Sequence, residues 1–439
     1  VLISLSSFKN IFLISELRRK LAFTFGALAV FRLGAHVPLP GINTIILKEF
    51  MSQSASGFFR YLDLFSGGAL KNVAIFALGI SPYISASIMI QILTITVPSF
   101  EALAKEGEYG RRQLNQYTRY LAFALSLFHG FGLATMLERM QEGLVITPGW
   151  SFRLMTMLVL SVGSLFVMWL GEQINVHGMG NGSSIVIFAG IVAGLPAALI
   201  KLFGSVIMGQ MNQLLFLFVI AFVLSLVGCI VFLERGERRV FVQYAKRVIG
   251  QKVFNGGSSY IPFKLNSAGV VPVIFASAML TMPIMLLKMI FVKVGAINTF
   301  AEWFDYGTPV HTVCTVALII LFSYVYTSII FNPIELAENI RKNGGYILGI
   351  RPGKKTAEYF EYVLNRVGLP GALYLATLAV LPRMLQIFFS SPVWVDGMSL
   401  LIAVGVGLDM SSQIEATLID KSYSGFLLSG ARLRGRRVR

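Results

Sequence analysis

Ten stretches of the chain are long apolar runs, and the polar residues gather in clusters between them. The runs fall at roughly 20–37, 73–96, 119–136, 152–171, 183–200, 213–233, 267–291, 312–331, 368–385 and 397–415. Each approaches the ~20 residues that an α-helix needs to cross a bilayer, and none alternates every second residue as a membrane β-strand does. The pattern predicts an all-α polytopic membrane protein of ten transmembrane helices. One stretch breaks it. Residues 57–70, "FFRYLDLFSGGAL" with its preceding glycine, are too short to cross and too apolar for a free loop. A re-entrant element folded back between the spans accounts for them; an interfacial helix lying flat on the membrane is the alternative.

Composition sharpens the class. The 439 residues are 55% hydrophobic and only 13% charged, with mean hydropathy +0.73, where soluble domains carry about 25% charge. Arg18, Arg19 and Lys20 before "LAFTFGALAV" imitate a signal peptide. The run continues through "FRLGAHV" without a small-residue cleavage site, so a retained first span is expected. Cys229 and Cys314 both lie in apolar runs and predict neither a metal site nor a disulfide framework.

The net charge of +16 has a topological reading. With both termini cytosolic, 27 of the 37 Lys and Arg fall on the cytosolic side, nine on the other, and Arg32 inside the first span. That bias over mostly short loops predicts N-in, C-in topology and an even number of spans. An internal echo agrees. Residues 79–87 and 269–277 both fit G-x-x-P-x-I-x-A-S, each near the start of the second span of a five-span half. Five is odd, so the halves, 1–200 and 201–439, would be inverted repeats.

Few ionisable groups sit at depth. Arg32 is within snorkelling reach of the headgroups, Glu172 closes the fourth span, His129 reads as a satisfied structural histidine, and Asp409 reads as a cap or local pair, with part of a site as the alternative. No H-E-x-x-H, G-x-S-x-G, Rossmann or P-loop pattern is present, so no enzyme, cofactor or metal site is expected. A protein-conducting channel and a small-solute transporter both fit an inverted repeat; the scarcity of midplane charge favours the channel.

The informative polarity is cytosolic. Segment 234–266 contains "ERGERRVFVQYAKRVIGQKVFNGGSSYIP", basic and alternating, which predicts a hairpin projecting from the membrane. Segment 332–367, with Pro333 and "RPG" at 351–353, predicts a second structured loop. Both are too long to be connectors alone and would form a docking surface, with anionic-lipid contact taking some of the charge.

Together these features resemble the SecY family of protein-conducting channels over essentially the whole chain. The matching stretches are "VFRLGAHVPLPGIN" (30–43), "FSGGAL" (65–70), "IFALGISPYISASI" (75–88), "EGEYGRRQLNQYTRY" (106–120), "LGEQINVHGMGNGSS" (170–184), "LERGERR" (233–239), "FNPIELAENIRKNGGYILGIRPG" (331–353) and "LLIAVGVGLD" (400–409). The resemblance implies two five-span halves with a lateral gate between spans two and seven, in the plasma (inner) membrane. It implies a plug over about 57–72, containing Phe65, Ser66, Gly67 and Gly68, whose glycines turn the half-helix back. An aliphatic collar would fall on Ile80, Ile84, Ile187, Ile274 and Ile402. A sixth collar position is Ser183, a departure from the aliphatic pattern. Pro82 and Pro272 would kink the two gate helices. Arg351 corresponds to the arginine needed for work with the motor ATPase, SecA. SecA or the ribosome would dock on Arg235, Arg238, Arg239, Lys246, Arg247, Arg351, Lys354 and Lys355. SecE and SecG are the implied membrane partners, and signal sequences and nascent polypeptides the implied substrates.

Overall fold

The computed structural model describes residues 14–47, 66–140, 143–209, 212–244, 247–249, 252–254, 257–290, 303–304, 308–389 and 397–430. They fall into two compact units, Val1–Gly194 with Val406–Arg439, and Leu195–Gly405. The helices are α1 (Ser15–Gly34), α2 (Ser81–Thr96), α3 (Pro98–Lys105), α4 (Glu108–Met140), α5 (Trp150–His177), α6 (Gly182–Ile207), α7 (Gln213–Arg235), α8 (Val271–Ile290), α9 (Pro309–Ile330), α10 (Pro333–Lys342), α11 (Lys354–Phe389) and α12 (Gly397–Gly430). The strands are β1 (Glu237–Tyr244), β2 (Arg247–Ile249), β3 (Lys252–Phe254), β4 (Ser258–Lys264) and β5 (Gly345–Tyr346). Each of the ten apolar runs contains a helix. Among the described residues seven are long and apolar enough to cross a membrane, or eight if α2 and α3, bent by 98°, count as one span. The chain is a helical polytopic membrane protein.

In the first unit the helices approach closely because small residues recur at their contacts. Along α4, Thr118, Ala122, Ser126, Gly130 and Ala134 repeat every fourth residue and are all buried. In lipid, where apolar burial offers no advantage between helices, such a stripe lets backbones come into van der Waals contact. A Cβ on Gly130 would lie 3.2 Å from Met157 Cα on α5. At the end of α4, the Glu138 carboxylate accepts from Gly149 N–H (2.9 Å) and from Arg153 (2.7 Å), closing the short connection to α5. At the other end of the same helix pair, Arg119 forms a two-pronged pair with Glu172, both contacts 2.8 Å.

Two sequence expectations change here. The second run, 73–96, is not helical throughout: residues 66–80 form successive turns, and the helix starts only at Ser81. Non-helical backbone survives at membrane depth only where protein groups satisfy it. Leu39 N–H donates to Val73 O (2.9 Å), Ile75 N–H to Val37 O (3.0 Å), and Ala74 N–H to Ala69 O (2.8 Å). Pro82 and Pro272, expected as mid-helix kinks, instead occupy the first turns of α2 and α8. There the missing N–H is one that a helix start leaves unpaired in any case, and the fixed φ of proline suits the first turn. The kink reading is therefore withdrawn for both. Among the described residues, Pro196, Pro283, Pro370 and Pro382 are the prolines inside helices.

In the second unit the two long polar segments, 234–266 and 332–367, fold as one module. The alternation in 234–266 gives the expected hairpin: β1 pairs antiparallel with β4, in register from Glu237 with Lys264 to Gln243 with Ser258. The second segment supplies β5, which pairs with the other edge of β1 to complete a sheet of order β4-β1-β5. Asn332 caps α10 by accepting from Ile334 and Glu335 N–H, and Val240, Val242, Phe263, Ala337, Ile340 and Phe360 share one core. Phe263 makes ring contacts with Phe331 (6.0 Å) and Phe360 (5.5 Å). Phe263→Ala should cost the module roughly 3–5 kcal/mol. Limited proteolysis of the purified protein checks this: cleavage between 237 and 264 should accelerate while the apolar helices stay intact.

Candidate functional site

The G-x-x-P-x-I-x-A-S echo has the same local structure at both copies. Gly79 and Gly269 are both left-handed, with φ of 53° and 63°. Each donates back three residues, Gly79 to Phe76 O (2.8 Å) and Gly269 to Asn266 O (3.4 Å). Two residues later the helix begins, with proline in its first turn and the shared isoleucine one turn further on. A side chain at either glycine would disfavour this φ, so the turn that aims Ile84 and Ile274 depends on glycine.

Within the first unit, Ile80, Ile84 and Ile187 are buried, at 0%, 8% and 1% exposure. Ile80 occupies the position before α2, and Ile84 N–H donates to its carbonyl (3.1 Å), so the two stand one turn apart. Ile80 packs beside Gly171 on α5, where a Cβ would lie 3.5 Å from Ile80 Cδ1. Gly171 in turn meets Gly182 at the start of α6, where a Cβ would overlap the Gly171 carbonyl. Ser183 is half-exposed, and its Oγ donates to the Asn181 side chain (2.6 Å), which also accepts from Ser183 N–H. That bond organises the start of α6, a structural use of a residue that resemblance alone placed on the collar. Within the second unit, Ile274 (5%) and Ile402 (1%) are likewise buried. Beside Ile274, Phe275 packs edge-on against Phe322 and Tyr326, both at 5.9 Å.

Phe65 and residues 57–64 of the expected plug lie outside the described residues. Ser66 is buried and its Oγ accepts from Leu70 N–H (3.1 Å). Gly67 and Gly68 are consecutive left-handed residues, φ 64° and 89°, as a sharp reversal requires. The guanidinium of Arg32, expected to snorkel, donates instead to the Gly67 carbonyl. A lone arginine in an apolar span carried some signal of a role, but only tertiary placement identifies its partner. Glu172 has the Arg119 partner already described, and Asp409 is exposed on α12. His129 is buried as expected, but its Nε2 has no hydrogen-bond partner among the described residues.

The described basic residues expected to dock partners sit on the module built from β1, β4, β5 and α10. Arg235, Arg238 and Arg239 are exposed along the end of α7 and the start of β1; Arg351, Lys354 and Lys355 are exposed where β5 leads into α11. Arg239 is held by Glu237 (2.6 Å) and lies over the Tyr260 ring at 4.8 Å. Lys355 pairs with Glu358 at 2.7 Å. Arg351 makes no ion pair among the described residues, while its carbonyl accepts from Thr356 Oγ1 (3.0 Å) at the start of α11. Left-handed Gly349 and Gly353, φ 80° and 102°, bracket Arg351 in a tight turn. Lys246 lies outside the described residues, and Arg247 is described only as the first residue of β2.

Comparisons with known proteins agree with this geometry. The SecY family model matches residues 74–411. The "Protein translocase subunit SecY" of Aquifex aeolicus is 41% identical over 424 residues, covering 95% of this chain and 98% of the relative. That of Thermus thermophilus is 42% identical over 437 residues, covering 98% and 99%. Among solved structures, "The structure of a protein conducting channel" aligns with TM-score 0.66 at 16% identity over 91% of this chain and 92% of the other. The idle yeast Ssh1 complex bound to the 80S ribosome aligns with TM-score 0.60 at 15% identity over 90% and 88%. At that identity these show a shared fold alone. Matched nearly end to end by its relatives in sequence and sharing the channel fold, the chain belongs to the SecY family.

Proposed function

We propose that this chain is the non-catalytic pore subunit of a Sec-type translocon. It passes unfolded secretory polypeptides across the plasma membrane and releases transmembrane segments sideways into lipid. The observation that carries the reading is the chain-long likeness to translocase subunits. Ten spans in two inverted five-helix halves, 1–200 and 201–439, with both termini cytosolic, follow from the ten apolar runs and the bias of positive charge. The collar is Ile80, Ile84, Ile187, Ile274 and Ile402; the twin helix starts that present Ile84 and Ile274 support it. Isoleucines suit the task because a pore for arbitrary side chains must bind none of them strongly and must dewet when empty. SecE and SecG are the membrane partners, and SecA or the ribosome supplies the energy from the cytosolic module. A ribosome-bound relative of the same fold is consistent with that surface.

The test is conductance of the reconstituted complex in planar bilayers, with and without a synthetic signal peptide. The wild-type complex should be nearly silent at rest and open with peptide. Replacing Ile84 and Ile274 together by Ser should raise resting conductance, about tenfold for each ~1.4 kcal/mol taken from the dewetting barrier. The matching Val pair keeps the collar apolar and should stay silent. Unaltered resting conductance in the Ser pair would remove these residues from the pore.

A further inference from the structure

Arg32 is one of the few charges inside an apolar span, and none of the roles assigned above uses it. It stands in the last turn of α1, half-buried, with its guanidinium on the carbonyl of Gly67. That carbonyl belongs to a residue in the left-handed region, outside any helix that could pair it. A buried, unpaired peptide carbonyl is costly in a water-poor setting, and a charged donor is among the strongest groups that can satisfy it. Gly67 is also pressed against α6: a Cβ there would come within 2.6 Å of Gly190 Cα and 3.2 Å of Arg32 Nη1. Gly67 is thus in close contact with both a helix backbone and one guanidinium. The chain after it is also fastened, through Ser66 Oγ to Leu70 N–H and through the bridge of Ala74 to Pro38.

We infer that Arg32 is a positioning residue for channel closure: by holding the Gly67 carbonyl against α6, it sets the resting position of the Ser66–Gly68 hinge. The inference rests on the channel reading above. The charged hydrogen bond and the backbone contact at Gly190 act as one grip, and the hinge needs both. Releasing either frees the consecutive glycines, which have little conformational preference of their own.

Resting and peptide-triggered conductance of the purified complex, containing its membrane partners, test this with three variants. Arg32→Met keeps the length and apolar stem without the donor. Gly67→Ala keeps the Arg32 donor but sets a Cβ against both Gly190 and the guanidinium. Arg32→Lys keeps a charge without the planar fork. Resting conductance should rise about tenfold or more in Arg32→Met and Gly67→Ala, the scale of a lost charged hydrogen bond, and less in Arg32→Lys. Peptide-triggered conductance should be unchanged, which a merely structural role would not predict. The Arg32→Met/Gly67→Ala double variant should leak no more than the worse single, because both release one contact. A wild-type complex that responds to signal peptide beside an Arg32→Met complex with wild-type resting conductance overturns the hinge role alone. A wild-type complex that never conducts overturns the channel reading, and the hinge with it. Failure of both Arg32→Met and Gly67→Ala to accumulate in the membrane would make the contact a folding determinant and overturn the role as well.

Discussion

Oxidation of a cysteine pair introduced as Ser85→Cys on α2 and Phe275→Cys on α8 should stop export of signal-bearing polypeptides, and reduction should restore it. A signal sequence carries an apolar core of roughly 7–15 residues, for which lipid is the favoured solvent, while the polar chain behind it must stay in the pore. The lateral gate that the family resemblance implies between spans two and seven would satisfy both, and α2 and α8 are the helices in those runs. A disulfide holds its two Cα atoms within about 7 Å, too close for a helix to pass between them. Ser85 and Phe275 are both buried, and Phe275 also loses its edge-on contacts with Phe322 and Tyr326 when replaced. The reduced double variant is therefore the reference, since it carries that packing loss without the bond. Pairs one helical turn to either side extend the test if oxidation does not join the first. A bond shown to link the helices while insertion and translocation run at the reduced-state rate would mean that substrate leaves elsewhere.

The second large effect is expected at Arg351. Arg351→Glu should abolish SecA-driven translocation while expression, insertion and the thermal transition stay near wild type. The side chain is exposed and makes no ion pair among the described residues, so its reversal costs the fold little, under about 0.5 kcal/mol. Its turn is built from backbone, by the two left-handed glycines and the Thr356 bond to the Arg351 carbonyl, and survives the substitution. At a partner interface the same change is severe. Loss of one member of a desolvated charge pair costs about 2–5 kcal/mol, and reversal adds repulsion. Lys354→Glu, three residues on at the start of α11 and also exposed, should weaken the interaction less and with a stronger dependence on salt, as expected of a rim charge. Wild-type translocation by Arg351→Glu at saturating SecA would remove the residue from the interface.

Much of this architecture is legible along the chain because membrane insertion is a local criterion. A run of about 20 apolar residues must satisfy its own backbone, and a helix is how a single segment does so. Hence each of the ten runs contains a helix. The hairpin in 234–266 was equally readable: β1 faces Val240 and Val242 inward and Arg239 and Phe241 outward, the period of two that its letters carry. Hydropathy fails at the second run because "KNVAIFALGI" is as apolar as a helix but is folded as turns. Two of its hydrogen bonds join it to residues 37 and 39, and no window average registers a partner that far away. Pro82 and Pro272 were misread for the same reason, since the boundary that makes them first-turn residues is set by the φ of Gly79 and Gly269.

Sequence by itself therefore determined the local character of each segment: which runs form apolar helices, where the positive charge clusters, and where the chain repeats its own motif. These follow from transfer free energies and from the match of period to secondary structure, both properties of neighbouring residues. Tertiary structure alone decided the pairings. It joined segments 234–266 and 332–367 into one module by adding β5 to β1 and burying Phe360 against Phe263. It turned Ser183 toward Asn181, and it set Arg32 on the carbonyl of Gly67. A hydrogen bond or a buried contact is specific to two groups, and composition, period and charge count are blind to which two the folded chain brings together.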